Sequence, residues 1–171
     1  MSVTIRPAQT ADIEAMMAAE RSAAELFRPL PQWAFIADDA IMSAAQHAAL
    51  IAEESEWLAQ DGAAVAGFIA VRRHGDEWHI AELSVAAEHQ RRGIGRQLIV
   101  AVADCASRQG VRQLTLTTFR NVPWNAPYYR RLGFETIPTV ELSARLRAQM
   151  VSEAEHGLPL GSRCAMKFTL L

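Results

Sequence analysis

Apolar positions along the 171-residue chain recur with two periods, and the changes between them mark out the elements. Residues 2–6 predict a first strand. Thr10 then reads as a helix cap with Asp12 in the first turn, where the dipole favours an acid. Ile13, Met16, Met17, Ala24 and Phe27 carry a helical stripe that stops near Arg28, before Pro29 and Pro31. Residues 29–40 read as a loop in which Trp33 and Phe35 are anchors or pocket walls, and a second helix spans 38–53. Glu56 to Gln60 predicts a strand, Asp61-Gly62 a hairpin turn and Ala64 to Arg73 its partner. His74-Gly75-Asp76 is the next turn, leading into a strand over 77–85, so three strands form an antiparallel meander. Ile94, Leu98, Ile99, Val102 and Ala106 line one side of a helix over 93–109, with Gly110 just past its end. Leu114, Leu116 and Thr118 alternate in a strand over 112–119. That strand–helix–strand order implies a parallel pair joined by a right-handed crossover. Asn125 caps a short helix, Pro127 fits its first turn and Gly133 closes it. A strand over 134–140, a helix over 142–155 and a last strand over 164–170 complete a mixed α/β sheet with helices on both faces.

One junction in this pattern carries candidate chemistry. From Glu82 to Arg96 a buried strand end, a short turn and a helix start follow one another. The first turn of a helix leaves backbone N–H groups without partners, and the macrodipole adds about half a positive charge there. Gly93 and Gly95 remove side chains that would hold a ligand away from those amides. Arg91, Arg92 and Arg96 add guanidinium groups suited to phosphate oxygens. The stretch reads either as a pyrophosphate cradle or as an ordinary strand-to-helix turn with solvated arginines. A dinucleotide site is disfavoured, because the third spaced glycine and the following acidic residue are missing.

Composition narrows the alternatives. Half the residues are hydrophobic and 21% are charged, as in an ordinary globular protein, and the length suits one domain over 1–171. The net charge of −2 argues against a general nucleic-acid binder. The two cysteines, Cys105 on a helix and Cys164 in a strand, read as small buried hydrophobes in a reducing compartment. No Cys/His spacing suggests a metal. Without a signal segment or a long apolar run, a cytoplasmic protein with no membrane partner is expected.

Gln90-Arg91-Arg92-Gly93-Ile94-Gly95 resembles the Q/R-x-x-G-x-G/A signature of the GNAT superfamily of acyl-CoA-dependent N-acetyltransferases. Leu83-Ser84-Val85 is similar to the strand that ends in that family's β-bulge. Tyr129-Arg130-Arg131-Leu132-Gly133-Phe134 resembles its Y-x-x-L-G-F ending. The resemblance implies a mixed, mostly antiparallel sheet with a central splayed parallel pair and helices on both faces. It implies acetyl-CoA as co-substrate. Leu83, Ser84 and Val85 then run beside the pantetheine arm as an added strand would. Gln90, Arg91, Arg92, Gly93, Ile94, Gly95 and Arg96 surround the pyrophosphate. Asn125 meets the far side of the arm, and Tyr128 packs or contacts the cofactor.

Amine acetylation needs two proton tasks. The incoming ammonium must lose a proton, and the departing thiolate must be stabilised, since a free thiol has a pKa of about 8.5. Tyr129 matches the family tyrosine that donates to the thiolate, and it is also a good packing residue. A backbone N–H near Val85 should polarise the thioester carbonyl. Glu82, on the strand beside the acetyl site, is the favoured base, acting through a water. His79 reads as a surface side chain projecting to the opposite face. Glu20, Phe27, Trp33, Asp38, Asp39 and Trp124 are candidates for selecting the acceptor. Acids near 38–39 and 53–54 suit a cationic amine, and equally a solvated helix face. The acceptor class is a small amine or a protein amino group, and a homodimer is left open. A non-catalytic acyl-CoA-binding sensor is the alternative from another class.

Overall fold

The computed structural model describes residues 2–170; Met1 and Leu171, both within the expected 1–171 domain, lie outside the described residues. In chain order the elements are β1 (Thr4–Pro7), α1 (Ile13–Ala24), α2 (Ala44–Ala52), β2 (Glu56–Asp61), β3 (Ala64–His74), β4 (Glu77–Val85), α3 (Ile94–Arg108), β5 (Gln113–Phe119), α4 (Ala126–Arg131), β6 (Glu135–Thr136), α5 (Ala144–Glu155) and β7 (Arg163–Thr169). Hydrogen bonding orders the seven strands β1-β2-β3-β4-β5-β7-β6. The sheet is mostly antiparallel. The expected parallel pair is β4 with β5, in register from Glu77–Gln113 to His79–Thr115. Two compact units divide the chain: one takes in residues up to Arg73 and Ile80–Cys105, the other His74–His79 and Ala106 onward.

In the first unit, α1 and α2 close over β2 and β3. Ile13, Met16, Leu50, Leu58, Phe68 and Ala70 form the core, each under one-tenth exposed. Such burial of aliphatic and aromatic surface is the main favourable term in folding. Two expectations shift here. Gln9, not Thr10, precedes the first helical turn, and its N–H donates to the Asp12 carboxylate (2.8 Å). Asp12 is held in turn by both terminal nitrogens of Arg6 (2.9 Å each). The second helix is shorter than 38–53: residues Ala34–Asp38 form a 3-10 turn, Asp39 is extended, and α2 starts behind Ser43. Ser43 Oγ accepts from Gln46 N–H (3.1 Å) while Gln46 Oε1 accepts from Ser43 N–H (2.8 Å), a reciprocal cap that competes well with a longer helix.

In the second unit, α5 packs Leu146 and Met150 on Ile137 and Ala165. α5 begins at Ala144 because Ser143 Oγ accepts from Leu146 N–H (3.2 Å). The strand expected over 134–140 shrinks to β6, since Pro138 has no N–H to donate and a 3-10 turn follows at Thr139–Glu141. α3 ends as expected. Gly110 N–H donates to Ser107 C=O (3.1 Å) and Val111 N–H to Ala106 C=O (3.0 Å), a Schellman closure.

Gly67, in the interior of β3, marks a close approach. A Cβ there would lie 2.4 Å from Ser84 O and 3.0 Å from Val85 Cα, both backbone atoms. Glycine is therefore required for the end of β4 to sit where it does. Gly67→Ala should destabilise the protein by about 1–3 kcal/mol in chemical denaturation. Gly161→Ala, where a Cβ meets nothing within 4 Å, should cost little. Equal effects at the two positions would contradict the close packing.

Candidate active site

The strand end at Glu82–Val85 and the start of α3 lie in the first unit. Ser84 is buried, and its Oγ donates to Glu82 Oε1 (3.0 Å), so both side chains lie on one face of β4. Ala86 N–H donates to Ala66 C=O (2.8 Å), carrying the pairing with β3 past Val85. The turn that follows is pinned twice. Ser22 Oγ on α1 accepts from Ala87 N–H (2.8 Å), and Gln90 Nε2 donates to Val85 C=O (3.0 Å).

The backbone then passes through two left-handed residues, Arg91 (φ 62°) and Gly93 (φ 75°). Glycine adopts this conformation without strain; Arg91 does so at a cost, which is common at binding loops. Gln97 N–H donates to Gly93 C=O (3.1 Å), the first bond of α3. The N–H groups of Ile94, Gly95 and Arg96 thus have no acceptor within the helix, and the positive pole of α3 stands behind them. Gly93 is exposed, with nothing within 4 Å of where its Cβ would lie, and Arg91 and Arg96 are exposed beside it. Arg92 does something else. Its guanidinium donates to Asp61 Oδ2 (2.8 Å) at the β2–β3 turn, with His89 alongside (3.2 Å). The Arg92 hydrogen bond holds Asp61 below the ordinary carboxylate range.

Behind the strand end lies a group of acids that the sequence did not single out as one cluster. Glu56, on β2, is 2% exposed and His47, on α2, is fully buried; His47 Nδ1 lies 2.6 Å from Glu56 Oε1 and 3.0 Å from Oε2. Glu20, on α1, is half-buried and accepts from Met42 N–H (3.1 Å). Burial, and then the neighbouring Glu82, push Glu20 up to about 8. Burial, and then Glu20, push Glu56 up to about 8. Burial pulls the His47 imidazole down. Taking carboxylates out of water without a full cation disfavours their charged form. A single proton across the short His47–Glu56 contact leaves that pair neutral overall.

Asn125, Tyr128 and Tyr129 lie in the second unit. Asn125 occupies the cap position of α4, where its C=O accepts from Tyr129 N–H (3.0 Å), but its side chain does not cap the helix. Asn125 Oδ1 instead accepts from Phe119 N–H at the end of β5 (3.4 Å). Gly133 closes α4: Phe134 N–H donates to Tyr129 C=O and Gly133 N–H to Arg130 C=O, both at 3.0 Å. The Tyr129 ring is held edge-on between Tyr128 (centroids 5.4 Å apart) and Phe134 (5.6 Å). Two edge-on contacts fix its direction.

His79 is not a surface side chain. It is 2% exposed, with Nδ1 2.9 Å from Thr115 Oγ1 and Nε2 3.0 Å from Gln149 Nε2. Gln149 comes from α5, which also brings Glu153 to Thr117 Oγ1 (2.6 Å) and Arg145 to Glu77. His79 pairs directly with Thr115 in the parallel register; a helix that brings Gln149 back from 70 residues along the chain could not be read from spacing near His79.

Glu56, His47 and Gly67 were missed as site residues. A glycine inside a strand was the available signal for Gly67, and a glutamate directly before Trp57-Leu58 was the signal for Glu56. Among the described residues no three His, Cys, Asp or Glu side chains are placed to hold a metal ion. Among the same residues no helix is long and apolar enough to cross a membrane.

Residues 52–136 match the family model of the acetyltransferase (GNAT) domain. The fold resembles that of PaiA N-acetyltransferase from Thermoplasma acidophilum in complex with coenzyme A (TM-score 0.73, 16% identity, 99% of each chain). It resembles N-acetylglutamate synthase from Neisseria gonorrhoeae in complex with coenzyme A and N-acetyl-glutamate (TM-score 0.75, 19% identity), matching 100% of this chain and 36% of that one. It also resembles the ribosomal-protein-S18-alanine N-acetyltransferase from Escherichia coli (TM-score 0.68, 19% identity, 99% of this chain and 94% of that one). At these identities the likeness is one of fold.

The acid cluster sets a pH dependence of stability. Glu20 and Glu56 hold their protons to about pH 8 in the folded chain, against 4.5 for an ordinary glutamate. The folded state therefore binds more protons than the unfolded one between these values. The stabilising contribution is complete below about pH 4.5 and is lost as pH rises through about 8, by at most about 1.4 kcal/mol per pH unit per group. Thermal unfolding across this range should show Tm falling with pH, at about 2–4 °C per kcal/mol. Glu20→Gln should flatten the slope; a slope unchanged in that variant would refute the assignment.

Proposed function

The chain belongs to the GNAT superfamily, and on that footing we propose that it is an N-acetyltransferase, one domain over 1–171, carrying an acetyl group from acetyl-CoA to a primary amine. The acceptor is a small molecule or a protein amino group, and attack is direct, within a ternary complex. The observation that carries this is the pole of α3, with three helix N–H groups behind an open Gly93 and exposed arginines on both sides. The donor set suits a diphosphate: backbone N–H groups for the oxygens, a helix pole for the charge. Arg91, Gly93, Ile94, Gly95 and Arg96 would hold it. Arg92 contributes its backbone, its guanidinium being engaged with Asp61, and Gln90 braces the loop against Val85.

Acetyl-CoA supplies the thioester when bound. Leu83, Ser84 and Val85 offer backbone groups to the pantetheine arm; the Ser84 side chain faces Glu82 instead. Asn125 and Tyr128 flank the cofactor. Glu82 receives the proton that frees the amine's lone pair, directly or through water. Tyr129, oriented by its two aromatic neighbours, gives a proton to the departing thiolate. The proposal takes the enzyme to be cytoplasmic.

Gly93→Glu places a carboxylate in the cradle at a left-handed position. It should weaken acetyl-CoA binding by at least about a hundredfold in calorimetry while circular dichroism stays native. Unchanged affinity would reject the cradle. Tyr129→Phe should lower kcat for thiol release by about a hundredfold or more, with acetyl-CoA affinity kept within about twofold. Equal losses in both would make Tyr129 a packing residue, and tight acetyl-CoA binding without turnover of any amine would favour the sensor.

A further inference from the structure

We propose that Asp61, at the β2–β3 turn, is a positioning residue for the acyl-CoA diphosphate: through Arg92 it holds the loop before α3 in the shape that presents the helix N–H groups. This deepens the proposed function and rests on its diphosphate cradle. Asp61 ends β2 and meets a residue 31 positions along the chain, Arg92, whose Nη1 donates to Oδ2 at 2.8 Å. Both lie in the first compact unit. The Asp61 side chain is only 9% exposed, so water competes little for the contact. His89 Nδ1 lies 3.2 Å from the same Arg92 nitrogen and 3.5 Å from Asp61 Oδ2. Arginine only donates, so His89 accepts from it at Nδ1 and carries its proton on Nε2.

The anchor is itself braced. Gln60 Nε2 donates to Gly62 C=O (2.9 Å), and Gln60 Oε1 accepts from Arg6 Nε (2.8 Å), the same arginine that Asp12 holds. The β2–β3 register slips by one residue between Ala59 and Gln60, an irregularity of the kind that re-aims a strand end. At the other end of the clasp, Arg92 sits between the two left-handed residues, Arg91 (φ 62°) and Gly93 (φ 75°). A residue other than glycine keeps such a conformation only where its surroundings over-determine it. Gln90 fixes the chain on one side of Arg91, through Val85 C=O (3.0 Å), and the Arg92 clasp fixes it on the other. Without Asp61 the second hold is gone. Arg91 is then free to relax, and the amides that follow it turn away.

Asp61 has the wrong charge to bind a phosphate itself. The Arg92 hydrogen bond holds its carboxyl below the ordinary range, so it is an anion at neutral pH. An anion near the pole of α3 repels another one, except as far as Arg92 cancels it. Two roles for Asp61 therefore predict opposite signs. If it only added negative charge near the cradle, neutralising it would tighten the binding of a diphosphate. If it holds the loop, neutralising it weakens binding, because the ligand must then order the loop as it binds. Arg91 and Arg96 remain exposed to ligand oxygens in both cases. The thioester end of the cofactor takes no part in this, so the effect belongs to ligands that carry the diphosphate.

Calorimetry on the full chain reads the sign. Asp61→Asn should weaken acetyl-CoA binding by about tenfold, and Asp61→Glu, which keeps the carboxylate, should stay within about threefold of the wild type. S-acetylpantetheine carries the thioester without the diphosphate and is titrated by NMR. Its affinity should be the same in Asp61→Asn as in the wild type, which a general structural role for Asp61 would not give. Arg92→Gln alone should show the same selective loss, and adding Asp61→Asn to it should bring no further one, since the two residues act as a unit. The ¹⁵N order parameters of residues 90–95 should fall in Asp61→Asn, while Tm and circular dichroism report that the fold is kept. Unchanged or tighter acetyl-CoA binding in Asp61→Asn, an equal loss for S-acetylpantetheine, or a full second loss in the Arg92→Gln background overturns the proposal. A wild-type chain that binds acetyl-CoA no better than S-acetylpantetheine overturns the diphosphate cradle instead, and the role of Asp61 with it.

Discussion

Three N–H groups at the start of α3 have no acceptor inside their own helix, and the surrounding structure keeps them presentable. Any α-helix has such groups. What distinguishes this one is how the chain reaches it. Arg91 and Gly93 take left-handed conformations, Gln90 ties the loop to Val85 and Ser22 ties it to α1. Gly67 lets the end of β4 come within contact of β3, so the strand delivers the loop to a fixed place. Arg92, which has the chemistry of a phosphate ligand, is used to fasten the loop to Asp61. A rigid pole is worth more to an anion than a flexible one, because little conformational freedom is lost on binding.

The same unit carries an electrostatic strain that a purely structural core would avoid. Glu56 and His47 could be replaced by apolar residues of like volume, which in other buried pairs is neutral or stabilising. Instead the pair is kept beside Glu20 and Glu82, where each carboxyl raises the cost of ionising the next. Perturbed acids gathered behind a strand end are a recurrent mark of proton chemistry.

The second unit is organised differently. Several of its buried polar groups are satisfied by one another: His79 with Thr115 and Gln149, Thr117 with Glu153, Glu77 with Arg145 and Gln113. Such closed networks specify a single arrangement of strands and helix. Against this frame α4 is short and its end is sharply closed, so the direction of Tyr129 depends on the rings of Tyr128 and Phe134 more than on helix length.

The order of strands and helices was legible in the chain because period-2 and period-3.6 patterns reflect local geometry. Gly110 and Gly133 closed their helices as read, and Gly93-Ile94-Gly95 opened α3 as read. The glycine signature and the Tyr129–Phe134 motif marked the two candidate stretches for the same reason, each being a set of near neighbours. Boundaries failed where a local competitor won, as Ser43 did over a helix from 38 and Pro138 over a longer strand. What tertiary structure alone decided is which distant side chains share a dielectric environment. His79 is buried because α5 returns over it, Arg92 is a clasp because the β2–β3 turn offers Asp61, and Glu20 is held by Met42 N–H, twenty-two residues on. Charge–charge energies depend on distance and dehydration in space, and neither quantity is written in the spacing of residues along a chain.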